Sequence, residues 1–272
     1  MEQHFQDWIG RSVTRGDLVT QRLLAEYRAT MSPFLFEPAE DIAPPGFHFG
    51  LAPAILETQD TGPDGAERKG LFLPPIPQPR RMWAGGSIET IRPLKLNAVV
   101  TRHSSLADLR FKQGSTGDFY VASVMHEISD EAGLAIRERQ DLVFRAAAIA
   151  PPPAPGPDVA LAADWQVNAS ALLLFRFSAF TFNGHRIHYD LSYAAEEGYQ
   201  GLLVHGPMQA ALMLNLASQK LDHVPRRFDY RCLAQLYSGT TFGVAHDGGR
   251  TRIVRSDGVI TAEGQVHARG TG

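Results

Sequence analysis

From Pro207 to Leu216 the chain reads Pro-Met-Gln-Ala-Ala-Leu-Met-Leu-Asn-Leu, apolar on nearly every side of any helix it forms. Such a helix has no face to offer water and must be enclosed by other structure. Pro207 suits the first helical position, where its missing N–H costs nothing and its φ is preset. The start of this helix, around Gly206, presents unpaired N–H groups and a partial positive charge. That arrangement suits an oxygen gaining negative charge, such as a thioester carbonyl becoming an enolate. Upstream, a polar elbow holds Asn183 and His188 five residues apart. With an unperturbed pKa of ~6.5, His188 can take or give a proton near neutral pH.

The rest of the chain supplies strands to enclose that helix. Residues 17–31 read as a first helix, with Val19, Leu23, Tyr27 and Met31 recurring every four residues and Asp17 as its cap. From Pro33 to Pro79 paired prolines and a polar 60–69 stretch predict loops without a long helix. Strands are expected near 87–91, 94–102, 119–128 and 135–147. Residues 151–158 hold five prolines in eight, a semi-rigid connector between a first half, 1–150, and a second, 159–272. In the second half, 171–177 reads as a strand and 191–197 as a short helix entered from Asp190 and ended by Gly198. Alternation from Phe228 to Leu236, then runs at 240–245, 251–255 and 258–267, predict an antiparallel meander. Paired arginines, Arg80-Arg81 and Arg226-Arg227, enter the strands of each half and suggest a duplicated unit whose first copy lost its long helix.

Composition narrows the function classes. The 272 residues are 44% hydrophobic and 20% charged, ordinary for a soluble globular protein. A formal charge of −3 argues against a general nucleic-acid binder. No run reaches the ~18 apolar residues of a membrane span, and residues 1–7 lack the pattern of a secretion signal. The single cysteine, Cys232, excludes an internal disulfide and sits in an alternating run as a buried structural thiol. A cytoplasmic location is therefore expected. The histidines lack the partners and spacing of a zinc site, so no metal is expected, and no Gly-x-Ser-x-Gly elbow marks a serine hydrolase.

The run Phe182-Asn-Gly-His-Arg-Ile-His-Tyr-Asp190, with Gly206 eighteen residues beyond His188, resembles the MaoC-type (R)-specific enoyl-CoA hydratases. It is most similar to the branch containing the type-2 hydroxyacyl-thioester dehydratases and the itaconyl-CoA and mesaconyl-CoA hydratases. The segments Arg80-Arg-Met-Trp-Ala-Gly-Gly-Ser-Ile-Glu89 and Arg137-Glu-Arg-Gln-Asp-Leu-Val-Phe-Arg145 carry the same likeness. The resemblance implies an α+β double hot-dog fold, antiparallel sheets each wrapped on a helix, with the long central helix kept mainly in the C-terminal half. It also implies a hydro-lyase acting on an acyl-CoA, with no cofactor beyond the coenzyme A of the substrate. From this branch the substrate would be a branched C5 dicarboxyl-CoA; a homodimer is compatible with it. In the family an Asp-x-Asn-Pro-aliphatic-His run supplies the catalytic Asp and His. Here Asn183, His185 and Arg186 stand at the Asp, Asn and Pro positions.

On this reading His188 moves the proton, Asn183 orients the water and the Gly206 amide polarises the thioester carbonyl. An amide cannot act as a general base, and the bland reading of Asn183 is a turn residue. His185 and Arg186 are candidates to face the ligand, and His205 is read as positional support. Trp83, Gly85 and Gly86 are candidates to line the pocket, against a bland role in tight strand entry. Arg80, Arg81, Arg226 and Arg227 are candidates for the coenzyme A phosphates. Glu138 and Asp141 are candidates for the missing carboxylate, with strand ion pairs as the commoner role. Four other functions stay open: a fatty 3-hydroxyacyl-thioester dehydratase, a hydratase for another branched enoyl-CoA, a non-catalytic acyl-thioester binder and a hot-dog thioesterase. A dicarboxylate substrate would need a buried cation at the far end of its pocket, a fatty chain an apolar tunnel.

Overall fold

A computed structural model describes residues 5–114, 117–146 and 162–267. Among the described residues ten antiparallel strands form one sheet: β1 (Ser12–Leu18), β2 (Arg80–Thr90), β3 (Val99–Gly114), β4 (Gly117–Asp130), β5 (Gly133–Arg145), β6 (Trp165–Asn168), β7 (Arg227–Cys232), β8 (Thr241–Asp247), β9 (Arg250–Arg255) and β10 (Ile260–His267). Their order is β1-β3-β4-β5-β2-β7-β10-β9-β8-β6. Read inward from each edge, the two sets of five have the same order: first, third, fourth, fifth, second. They meet where Gly85–Glu89 of β2 pairs with Arg231–Arg227 of β7.

Helix α4 (Gly206–Leu221) is the enclosed helix that its composition demands: every residue from Met208 to Ser218 is buried. It packs on β8, β9 and β10 and reaches across to β2 and β7. Its buried amide, Asn215, has a structural partner set. Nδ2 donates to Pro45 O at 2.8 Å and Oδ1 accepts from Phe36 N at 3.0 Å, pinning the loop that precedes β2 against the helix.

Several of the expected elements fall differently, and β2 and β3 cover Arg80–Thr90 and Val99–Gly114 where strands were expected at 87–91 and 94–102. The first helix, α1 (Gln21–Met31), begins four residues later, capped by Thr20, whose Oγ1 accepts from Leu23 N at 3.1 Å. Asp17 instead lies in β1, paired in register with Val100, and its carboxylate accepts from Ala52 N at 2.7 Å. The run at 171–177 is not a strand but α2 (Ala171–Phe180), capped by Ser170. Leu174, Phe177, Ser178 and Phe180 face inward while Leu172 and Phe175 are exposed; a short apolar run does not by itself distinguish helix from strand. The short helix α3 (Leu191–Glu196) follows the expected pattern, with Asp190 Oδ1 accepting from Tyr193 N at 3.1 Å and Gly198 at φ +80°. The proline-rich 151–158 segment lies outside the described residues. No helix among the described residues is long and apolar enough to cross a membrane.

Candidate active site

After α2 the chain reverses through Phe182, held at φ +50°, and Asn183 N donates to Ser178 O at 2.8 Å. The Asn183 side chain closes the elbow: its Oδ1 accepts from His185 N at 3.0 Å. A backbone N–H requires an acceptor, so this contact assigns the amide and leaves Nδ2 as a donor. The turn reading of Asn183 thus accounts for its carbonyl, and what it presents to the cavity is an N–H.

A 3-10 turn, Arg186–His188, follows. His188 Nδ1 lies 2.8 Å from Leu203 O. A carbonyl can only accept, so Nδ1 carries the hydrogen and the neutral ring offers the lone pair of Nε2. The ring stacks on His205 with centroids 3.6 Å apart and planes 19° apart. Because His205 directly precedes Gly206, this stack brings the imidazole to the start of α4. Burial pulls the His188 pKa down to about 4, opposed by the Leu203 hydrogen bond. His188 is therefore neutral at physiological pH and able to accept a proton.

His188, Asn183, His185, Gly206 and Trp83 all line one cavity of about 440 Å³. His185 sits edge-on to His188 at 5.6 Å, and burial lowers its pKa to about 3. Trp83 packs so closely on the start of α4 that a Cβ at Gly206 would lie 2.9 Å from its ring. This is an independent reason for glycine there: the bare backbone lets both ring and ligand approach. Cys232 also lines the cavity, as a thiol whose pKa burial pushes up to about 12.

Several candidates lie elsewhere. His205 is fully buried behind His188, its Nε2 2.8 Å from Ser178 Oγ, so it positions the ring and does not face the cavity. Arg186 turns outward over Tyr193 and pairs with Asp190 at 2.7 Å. Gly85 and Gly86 stand apart from His188 where β2 is squeezed between neighbours: a Cβ on Gly86 would meet Arg139 O at 1.9 Å, and one on Gly85 would meet Tyr230 O at 2.5 Å. Close strand approach explains both glycines. Arg80 is buried against Glu197 at 3.0 Å and stacks over Tyr199; Arg81, by contrast, does line the His188 cavity and pairs with Asp64 at 3.3 Å. Arg226 reaches Ile91 O beside the far end of α4, and Arg227 pairs with Asp229. The cation lining the cavity that sequence reasoning missed is Arg145 of β5.

Neither candidate carboxylate reaches the cavity. Asp141 accepts from Ser123 at 2.7 Å and pairs with Arg139 at 3.2 Å, and Glu138 is buried on the inward face of β5. Among the described lining residues there is no Asp or Glu. Among the described residues, too, no three His, Cys, Asp or Glu side chains are grouped as a metal site.

The chain is 38% identical over 241 residues to the mesaconyl-C(4)-CoA hydratase of Chloroflexus aurantiacus, covering 86% of each sequence. Among solved structures it superposes on HtdX of Mycobacterium tuberculosis with a TM-score of 0.68 at 16% identity, covering 94% of this chain and 99% of that one. It also superposes, at a TM-score of 0.55 and 13% identity, on a second protein of that organism described as a double hot-dog fold, covering 95% and 96%. These two structures bear on the fold alone, an α+β double hot-dog. The hydroxyacyl-thioester dehydratase type 2 family matches residues 46–238, a span holding both the elbow and the start of α4, and the chain belongs to that family.

Proposed function

We propose that this protein is a hydro-lyase that adds water across the α,β double bond of an enoyl-CoA, or removes it in reverse. The observation that carries the reading is a neutral imidazole, His188, stacked beside the start of α4 in one cavity, with its Nε2 lone pair free of the Leu203 contact. In the hydration direction the Gly206 N–H and the helix dipole polarise the thioester carbonyl. Water, its oxygen held by the Asn183 Nδ2–H, attacks the β-carbon while His188 Nε2 takes its proton. The electron pair of the double bond moves to the carbonyl oxygen as an enolate. His188 then returns the proton to the α-carbon, so one water is added with no net change at the enzyme.

The likeness to a mesaconyl-C(4)-CoA hydratase favours a branched dicarboxyl-CoA as substrate. A cytoplasmic setting fits the lone cysteine, and we take 1–150 and 159–272 as the two halves of the chain. The test is to incubate the protein with a panel of unsaturated acyl-CoAs and follow products by mass. Gain of one water is expected, lost by about 10²–10⁴-fold in His188→Ala, the range for removal of a general acid–base group. Release of free coenzyme A without hydration would instead identify a thioesterase, and binding without turnover a non-catalytic binder. Asn183→Asp keeps the turn acceptor and replaces the Nδ2 donor with an oxygen; an unchanged rate would remove Asn183 from the mechanism.

A further inference from the structure

Alternation along β3, β4 and β5 calls for apolar side chains on the inward face, as at Val100, Leu106, Val124, Ile128 and Ile136. Between them the same face carries Arg102, Ser104, His126, Glu138 and Gln140, all buried. Ser104, His126 and Glu138 lie side by side in register across the three strands. A buried polar patch is costly unless its groups are matched, and this one is incompletely matched. His126 Nδ1 contacts Ser104 Oγ at 2.7 Å, but its Nε2 has no hydrogen-bond partner among the described residues. Arg102 Nη1 donates to Leu51 O at 3.1 Å, while Nη2 stands 3.8 Å from Glu138 Oε2, beyond hydrogen-bond range. Glu138 Oε1 accepts from Gln140 Nε2 at 2.9 Å, while Glu138 Oε2 and His48 Nε2, 3.6 Å apart, have no hydrogen-bond partner among the described residues.

Arg102, Ser104, His126 and Gln140 line a second cavity of about 810 Å³. It adjoins the His188 cavity, because Trp83, Asn183, Pro207, Gln140 and Leu142 line both. The buried guanidinium of Arg102 thus lies in the space adjoining the one that would hold reacting carbons beside His188. Arg15, in register with Arg102, adds a second positive charge to the same wall. Glu138 is the internal competitor for that charge. Burial raises its carboxyl to about 7 against the lowering effect of Arg102, so near neutrality it offsets the guanidinium only in part.

We infer that Arg102, with Ser104, His126 and Gln140 beside it, binds the free distal carboxylate of the acyl group and so selects dicarboxyl-CoA over fatty enoyl-CoA substrates. A carboxylate matches the planar fork of a guanidinium and accepts from the neighbouring donors. An apolar acyl tail would leave the patch as unmatched as it is now. The inference rests on the hydratase reading, and the test separates the two.

The unaltered protein and Arg102→Met are assayed on two enoyl-CoAs, mesaconyl-C4-CoA with its free carboxylate on the β-carbon and crotonyl-CoA, which keeps the methyl group and has a hydrogen in place of the carboxylate. Arg102→Met is expected to lower kcat/KM for the carboxylate substrate on the order of 100-fold, mainly through KM, and for crotonyl-CoA by less than about threefold. An equal loss on both substrates would assign Arg102 to structure alone and overturn the inference. Should Arg102→Met fail to fold, Ser104→Ala is expected to show the same selectivity at about fivefold, and equal loss there overturns it as well. If the unaltered protein hydrates crotonyl-CoA but not the carboxylate substrate, the inference falls and the hydratase reading stands. Turnover of neither substrate sinks both.

Discussion

The two five-stranded halves of the sheet share one strand order and are filled in different ways. Under β6–β10 lies the sixteen-residue α4, and the facing side chains are mostly apolar, Phe228, Phe242, Val244 and Ile253 being fully buried, while the buried Thr261 is matched by donating to Gln209 of the helix at 2.9 Å. Under β1–β5 the corresponding connection offers only the eleven-residue α1, which packs chiefly on α2 and the Phe47–Gly50 turn. The inward face of β3–β5 is left partly to a cavity and carries Arg102, Ser104 and His126. One copy of a fold thus supplies rigidity and a helix dipole while the other supplies room and charge. The site sits where the two meet, at Trp83 of β2 and Gly206 of α4.

Disturbing that meeting point should have the largest effect. Gly206→Ala places a methyl within 2.9 Å of the Trp83 ring and must move either ring or helix. A loss of about 1–3 kcal/mol in stability is expected from overpacking. Steady-state kinetics should show kcat/KM down by about 100-fold, since an oxyanion donor is displaced as well. Normal activity would mean that the helix start does not face the reacting carbonyl.

A matched pair of valines sharpens the contrast between the fillings. Val244 lies under α4, whereas Val124 borders the second cavity. Val244→Ala should cost about 2 kcal/mol in urea denaturation and Val124→Ala about 1, because the second removes side chain from a wall already open. Equal costs would argue that the N-terminal half is as closely packed as its counterpart.

The smallest effect concerns pH. His48, His126, His185, His188 and His205 are all lowered from 6.5, with burial the largest cause in each. Below about 6.5 the unfolded chain takes up protons that the folded protein refuses, so stability falls as the medium is acidified toward about pH 4. Glu138 acts the other way: its raised carboxyl keeps a proton that the unfolded chain sheds, which removes stability as pH rises from 4.5 to about 7. Five groups outweigh one, and a melting temperature several degrees lower at pH 5 than at pH 7.5 is expected. A flat profile would place these imidazoles in contact with water.

Much of this architecture was legible from residue pattern. The presence of α4 and its burial follow from all-round apolarity, although the helix runs on past the expected Leu216 to Leu221, and β4, β7 and β8–β10 follow from alternation and turn residues. The elbow was legible through its resemblance to a known family, whose spacing of the positions of Asn183, His188 and Gly206 the chain repeats; tertiary packing brings the three to one cavity. By contrast, α2 escaped because a short run such as Ala-Leu-Leu-Leu-Phe satisfies either period, and β1 because Asp17 resembles a helix cap. The signal for the polar patch was present in the period-2 positions 100, 102, 104 and 106, two of which are polar where the face should be apolar.

The sequence by itself determined which segments must be enclosed and which turn chemistry joins them, since burial and local hydrogen bonding act over a few residues. Only the tertiary structure decided which polar groups remain without partners. Arg80, Arg81, Arg186 and Arg227 resemble Arg102 on paper, yet each has a carboxylate within 3.3 Å, and the Arg102–Glu138 contact is longer. Pairing of that kind depends on distances between residues far apart along the chain, and those distances are set by the fold.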